Sequence, residues 1–176
     1  MKKNYKEHLH RINTFVFDVD GVFTDGGILI SEQGELLRTM CVKDGFAVKI
    51  ALSHGYRVAI ITGGTNMAVK KRFQRLGITD IYMNSLFKDE SMEEFLDIHQ
   101  IDPGEVLYMG DDLPDIPAMK MVAIAACPQN AVSEVKEVCD YISHKKGGEG
   151  CVRDIIEQVL KIRGHWEFDK AKYNKA

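Results

Sequence analysis

The chain has 176 residues, 45% hydrophobic and 28% charged, which is the make-up of one globular domain and excludes disordered, collagen-like and coiled-coil classes. Lys and Arg number 23 against 26 Asp and Glu, a formal net charge of -3, so no overall positive field exists to gather nucleic acid or an anionic lipid surface, and neither partner is expected. No apolar run approaches the roughly 18 residues of a membrane span and the N-terminus has no apolar signal core, so a cytoplasmic protein is expected.

In chain order, short β-branched runs alternate with amphipathic stretches, the pattern of a parallel sheet wrapped by helices. Thr14 to Val19 reads as the first strand. Asp44 reads as the N-cap of a helix carrying Phe46, Ala47, Ile50 and Ala51, which stops at Gly55 before a second strand over Arg57 to Ile61. Asn66 caps a helix with Val69, Phe73 and Leu76 on one side and Lys70, Lys71 and Arg75 on the other, ended by Gly77. A third strand follows near Asp80 to Met83. Then come a helix over Glu90 to His99, a strand over Val106 to Met109, a short helix around Pro117 to Met121, a strand over Val122 to Ala126 and a last helix from about Cys151 to Ile162. Between Asp20 and Asp44, two β-rich runs flank the turn Ser31-Glu32-Gln33-Gly34, a β-hairpin inserted after the first strand and projecting over the carboxyl edge of the sheet. The expected fold is thus α/β: a Rossmann-like parallel sheet flanked by helices, in one domain over residues 1–164 with a hairpin flap at about 22–42. The charged tail, 165–176, reads as a frayed terminus.

The four cysteines are widely spread with no Cys-x-x-Cys pair, which reads as reduced thiols, and the six scattered histidines read as surface or capping residues. The chemistry lies at the strand ends, where ligands of open α/β sheets bind. Strand one ends Asp18-Val19-Asp20-Gly21, strand two Thr62-Gly63-Gly64, Lys88 follows strand three, and strand four ends Gly110-Asp111-Asp112-Leu113-Pro114-Asp115. Carboxylates gathered at one edge cannot all ionise without a counterion, and oxygen ligands with no nearby His or Cys favour Mg²⁺. Taken singly, each Asp also reads as a turn or N-cap, the Lys as a solvated side chain and Thr-Gly as an ordinary turn. The ordered set, one piece at the end of each successive strand, is what chance rarely supplies.

The string FVFDVDGVFTDGG, followed in order by ITGG, Lys88 and GDDLPD, resembles the haloacid dehalogenase superfamily of aspartate-nucleophile phosphotransferases from Phe15 to about Ile162. The resemblance implies Asp18 as the nucleophile on phosphorus and Asp20 as the acid that protonates the leaving oxygen and then activates water. It implies that Thr62, Gly63 and Lys88 hold the phosphoryl oxygens, and that Asp18, the backbone carbonyl of Asp20 and Asp111 bind Mg²⁺ with Asp112 and Asp115 behind them. Physically, a carboxylate attacks a phosphate dianion only where cations neutralise both, and charge developing on the transferred oxygens needs fixed donors.

The stretch from Asp20 to Thr62 holds only the hairpin and one helix, and that from Thr62 to Lys88 only a helix and a strand, so no cap domain is expected. An open site implies cover from elsewhere, and oligomerisation is the favoured source. DGVFTDGG, VKDGFAV, GDDLPD and GGEGCVRD are similar to the capless phosphatases of octulosonate 8-phosphate, of lipopolysaccharide sugar synthesis, and to their nonulosonate 9-phosphate relatives. These are tetramers in which a neighbour helps close the site, and the resemblance puts Thr24, Asp25, Asp44 and Arg153 on the substrate-facing surface. Many octulosonate phosphatases carry Arg directly after Thr-Gly; here the residue is Gly64, with Lys71 and Arg72 on the following helix as substitutes. Two alternatives remain: the same chemistry on a nine-carbon sugar acid, and a non-catalytic, receiver-like module whose acidic cleft binds Mg²⁺.

Overall fold

A computed structural model describes residues 4–173. Among the described residues there are eight strands: β1 (Thr14–Phe17), β2 (Leu29–Ile30), β3 (Leu36–Leu37), β4 (Arg57–Ile61), β5 (Asp80–Tyr82), β6 (Val106–Met109), β7 (Ile124–Cys127) and β8 (Tyr141–Ile142). Helices are α1 (Val42–Ser53), α2 (Met67–Arg75), α3 (Lys88–His99), α4 (Ile116–Met119), α5 (Ser133–Val138), α6 (Cys151–Ile162) and α7 (Lys170–Tyr173). Six strands form one parallel sheet in the order β5-β4-β1-β6-β7-β8. The chain runs from β1 outward through β4 to β5 and then returns to β6 on the other flank of β1. The direction of winding therefore reverses at β1, where such sheets bind ligands.

Both faces of the sheet are covered, which is why its strands read as continuous apolar runs rather than alternating ones. Phe15, Phe17, Val58, Ile60, Leu107 and Met109 pack against α1 and α6 on one face. Val16, Ala59, Ile61, Val106 and Tyr108 pack against α3 and α4 on the other.

The hairpin is an antiparallel pair, Leu29 opposite Leu37 and Ile30 opposite Leu36, separate from the main sheet. Its apolar side chains face outward: Ile28, Leu29, Ile30, Leu36 and Leu37 are all exposed.

Several boundaries differ from the sequence reading. β1 ends at Phe17 because the carbonyl of Val19 collects the amides of Val22, Phe23 and Thr24 in a tight turn. α1 starts at Val42 behind Cys41, and Asp44 does not cap it: Asp44 Oδ1 crosses to accept the amide of Arg153 at 2.7 Å, near the start of α6. α3 begins at Lys88, α4 at Ile116 and β7 at Ile124. The short α5, β8 and α7 carry too few residues for periodicity to reveal them. The described part of the tail is not frayed. Phe168 and Tyr173 lie 5.9 Å from the Phe46 ring, His165 stacks on His54, and the guanidinium of Arg153 sits 5.2 Å over Trp166. Residues 174–176 lie outside the described chain.

Candidate active site

Asp18 follows β1 and is 6% exposed. Its amide donates to the carbonyl of Met109, so the β1 and β6 ends are tied together where their carboxylates meet. Lys88, the first residue of α3, is also buried, and its Nζ lies 2.9 Å from Asp18 Oδ1 and 2.6 Å from Asp115 Oδ1.

Asp115 is fully buried and organises the site's floor. Besides Lys88, its Oδ1 accepts the hydroxyl of Tyr108 at 2.8 Å, and its Oδ2 accepts the amides of Asp111 and Asp112 at 3.0 and 3.2 Å. The sequence reading missed Tyr108, because an aromatic in an apolar strand reads as core. Asp112 is turned aside, its carboxylate capping the following turn through the amide of Leu113.

Gly21 permits the approach of β1 and β6. Its φ of +91° is left-handed, and a Cβ there would stand 2.0 Å from Asp111 Oδ2. On the other side, Thr62 is 2% exposed and its Oγ1 accepts the amide of Gly64 at 3.1 Å. The Thr62 turn is stapled to the loop after β5, where Asn84 donates to the carbonyl of Gly64 and Ser85 to that of Thr62. Space does not demand glycine at Gly64, since a Cβ would make only ordinary contacts with Thr62 and Asp20.

Asp18, Asp20, Thr62, Gly63, Gly64, Lys88, Asp111, Asp112 and Asp115 all line one cleft of about 410 Å³, joined by Gly26, Ser85, Leu86 and Pro114. A larger cleft of about 510 Å³ opens near Asn13, Thr14 and Arg57, at the amino ends of the strands, away from this chemistry. Asp20 is gripped by Arg38 from the hairpin, Nε to Oδ1 at 2.7 Å and Nη2 to Oδ2 at 3.0 Å, a contact absent from the sequence reading.

The residues expected on a substrate-facing surface do not join them within one chain. Thr24 is fully buried, its Oγ1 accepting the amides of Gly21 and Gly26, and Asp25 is an exposed turn residue accepting from Gly27. Asp44 is fully buried between α1 and α6, which corrects its placement on the substrate surface. Arg72 packs over Gly45 and lines a separate groove with the hairpin, whereas Arg153 pairs with Glu157 near Trp166.

One carboxylate oxygen each from Asp18, Asp111 and Asp115 lies within 4.8 Å of the others. Burial, reinforced by Asp115 and opposed by Lys88, pushes Asp18 up to about 7. Burial together with Asp18 and Asp115 does the same to Asp111, also to about 7. Burial works against the Lys88 cation, yet the two carboxylates hold its pKa above the ordinary value. The cluster carries more negative charge than one ammonium can offset, and an oxygen-only set of this kind fits a hard divalent cation at Asp18 and Asp111, since Asp115 is spent on four hydrogen bonds.

The sign of the pH dependence follows. Carboxyls that titrate near 7 when folded and near 3.8 when unfolded hold protons only in the folded state between those limits. Their contribution to stability is present at low pH and is lost as pH rises towards 7. A divalent cation competes with those protons. The rise in melting temperature caused by excess Mg²⁺ over EDTA is therefore expected to be small at about pH 5 and to grow up to about pH 8. Thermal melts across that range check this, and a Mg²⁺ effect independent of pH would contradict it.

A model of the haloacid dehalogenase-like hydrolases matches residues 73–155, a span that includes Lys88, Asp111 and Asp115 but not Asp18. The chain is 35% identical to the 3-deoxy-D-manno-octulosonate 8-phosphate phosphatase KdsC of Salmonella typhi over 92% of this chain and 85% of the relative. The crystal structure of the phosphatase of that name from Yersinia pestis superposes with a TM-score of 0.90 at 32% identity, covering 93% of this chain and 88% of the other. The one from Moraxella catarrhalis, in complex with a magnesium ion, a phosphate ion and KDO, superposes with a TM-score of 0.86 at 31% identity, covering 89% and 90%.

Proposed function

Because this chain belongs to the 3-deoxy-D-manno-octulosonate 8-phosphate phosphatases of the haloacid dehalogenase-like hydrolases, we propose that it is a Mg²⁺-dependent phosphoric monoester hydrolase that releases phosphate from this eight-carbon sugar acid, a step in lipopolysaccharide sugar synthesis. The observation that carries the reading is the meeting of Asp18, Thr62, Lys88 and Asp111 in one cleft, on a chain that matches KdsC along 92% of its length.

In the first displacement an Asp18 oxygen bonds to phosphorus while the ester oxygen leaves and takes a proton from the Asp20 carboxyl. In the second, water gives a proton to Asp20 and attacks phosphorus, which releases inorganic phosphate and restores Asp18. The buried Lys88 ammonium offsets the charge of nucleophile and phosphoryl group, and the Thr62 hydroxyl with the amides of its turn donates to the transferred oxygens. Asp18, Asp111 and the backbone carbonyl of Asp20 would hold Mg²⁺, which when bound would supply the positive charge that lets an anion attack an anion. Asp115, itself held by the Tyr108 hydroxyl, fixes Lys88 from below.

The cleft is open to solvent, and the exposed apolar hairpin offers a surface for other copies of the chain. A homotetramer whose neighbour covers the site accounts for both, and it is where Arg72 and Arg153, remote from their own cleft, meet substrate. Among the described residues no helix is long and apolar enough to cross a membrane. The compartment that goes with this reading is the cytoplasm.

The test is kcat/KM on the eight-carbon 8-phosphate and on a nine-carbon nonulosonate 9-phosphate, with the oligomer weighed by light scattering in the same sample. A preference for the eight-carbon substrate above about tenfold, about 1.4 kcal/mol in transition-state binding, is expected from a tetramer. The reverse preference would assign the nine-carbon substrate, and an active monomer would remove the shared site.

A further inference from the structure

On the hairpin, Leu36 and Leu37 are 44% and 46% exposed, yet Arg38 turns inward and its side chain is only 8% exposed. Its guanidinium meets both oxygens of one carboxylate, that of Asp20, in the two-point geometry that fixes a carboxyl plane as well as its position. The third nitrogen, Nη1, donates to the carbonyl of Leu36 at 3.1 Å. That carbonyl also accepts from Asn66 Nδ2 at 3.1 Å, and Asn66 is the N-cap of α2. The guanidinium is thus held at its far side by the hairpin and, through Asn66, by the main body. The Asp20 side chain, 34% exposed, has no other ion pair among the described residues, and the Thr24 hydroxyl reaches it only at 3.5 Å.

We propose that Arg38 is the positioning residue for Asp20: the hairpin exists in part to deliver a guanidinium that fixes the carboxyl at the place where the leaving oxygen and then water must be met. A Lys could match the charge but not the fork, and among the described residues no side chain on the main sheet does the same. Arg38 acts through Asp20 and not on the phosphoryl group, so its removal slows turnover without weakening substrate binding. The inference rests on the acid/base reading of Asp20.

The experiment is a kinetic cycle on the intact enzyme with Mg²⁺: Arg38→Met, Arg38→Lys, Asp20→Asn and the double variant Arg38→Met with Asp20→Asn. A positioned acid/base group contributes about 10²–10⁴-fold. Arg38→Met is expected to lower kcat by about 10–100-fold with KM within about threefold, and Arg38→Lys to recover part of the loss. In the Asp20→Asn background the same Arg38 change is expected to alter kcat by less than about twofold, because residues acting as a unit are not additive. The full Arg38 loss persisting without the Asp20 carboxyl would overturn the proposal. So would a raised KM at unchanged kcat, which would place the guanidinium on the substrate, or no effect at all. An Asp20→Asn enzyme with undiminished kcat would instead remove the acid/base reading itself, whatever Arg38 does.

Discussion

Asp18→Asn is expected to abolish phosphate release, lowering kcat by at least about 10⁴-fold, the scale seen when a covalent nucleophile is removed. The amide is isosteric and stays within reach of Lys88, so the fold should be kept. Its stability should even rise in EDTA above about pH 7, because the substitution removes a carboxylate that burial and repulsion from Asp115 push up to about 7 and that itself helps to push up Asp111. Activity and stability therefore move in opposite directions, a combination that damage to the fold would not produce. Phosphate-release assays and melts at about pH 8 check both. Continued turnover by the Asp18→Asn enzyme would show that phosphorus is attacked by something else.

Lys88→Met makes the complementary case. Lys88 is 5% exposed and its ammonium stands between Asp18 and Asp115, the second fully buried. Removing it leaves two desolvated carboxylates facing each other with no cation between them. Breaking a buried pair from one side typically costs about 3–5 kcal/mol. The loss should be largest in EDTA above about pH 7, where Asp18 has lost the proton that burial lets it keep at lower pH, and Mg²⁺ should recover part of it. Because the proposed displacement also relies on Lys88 to offset charge, kcat should fall by at least about 10²–10³-fold even in folded enzyme with Mg²⁺. Denaturant unfolding with and without Mg²⁺ separates the two effects. Equal stability to the parent would show that Asp115 and Tyr108, not Lys88, hold the site together.

The parts of this site that could be read from the amino-acid order are those set by strand ends. Asp18, Thr62, Lys88 and Asp111 each come shortly after the end of a strand, so the parallel sheet alone brings them together. What stayed hidden depends on side chains crossing between elements. Arg38 lies on an exposed hairpin, where a charge reads as solvated, and only docking of the hairpin turns it towards Asp20. Tyr108 lies inside an apolar strand, but its hydroxyl points at Asp115, which no strand pattern records. Asp44 had the right type and place for a local helix cap, and its carboxylate instead serves a helix 109 positions later. The tail read as frayed because its aromatics are too few to mark a face, yet Phe168 and Tyr173 meet Phe46 on α1.

The covalent step carries the account, and it is tested most directly by acid-quenching the enzyme with Mg²⁺ and phosphorus-labelled 3-deoxy-D-manno-octulosonate 8-phosphate within a single turnover, then locating the label by mass spectrometry. The expected result is a transient acyl phosphate on the Asp18 carboxyl that decays as inorganic phosphate appears, and that is absent from Asp18→Asn. Phosphate release at the full rate with no label on the protein at any time would mean that water attacks the substrate directly, and would contradict the assignment of Asp18 as nucleophile.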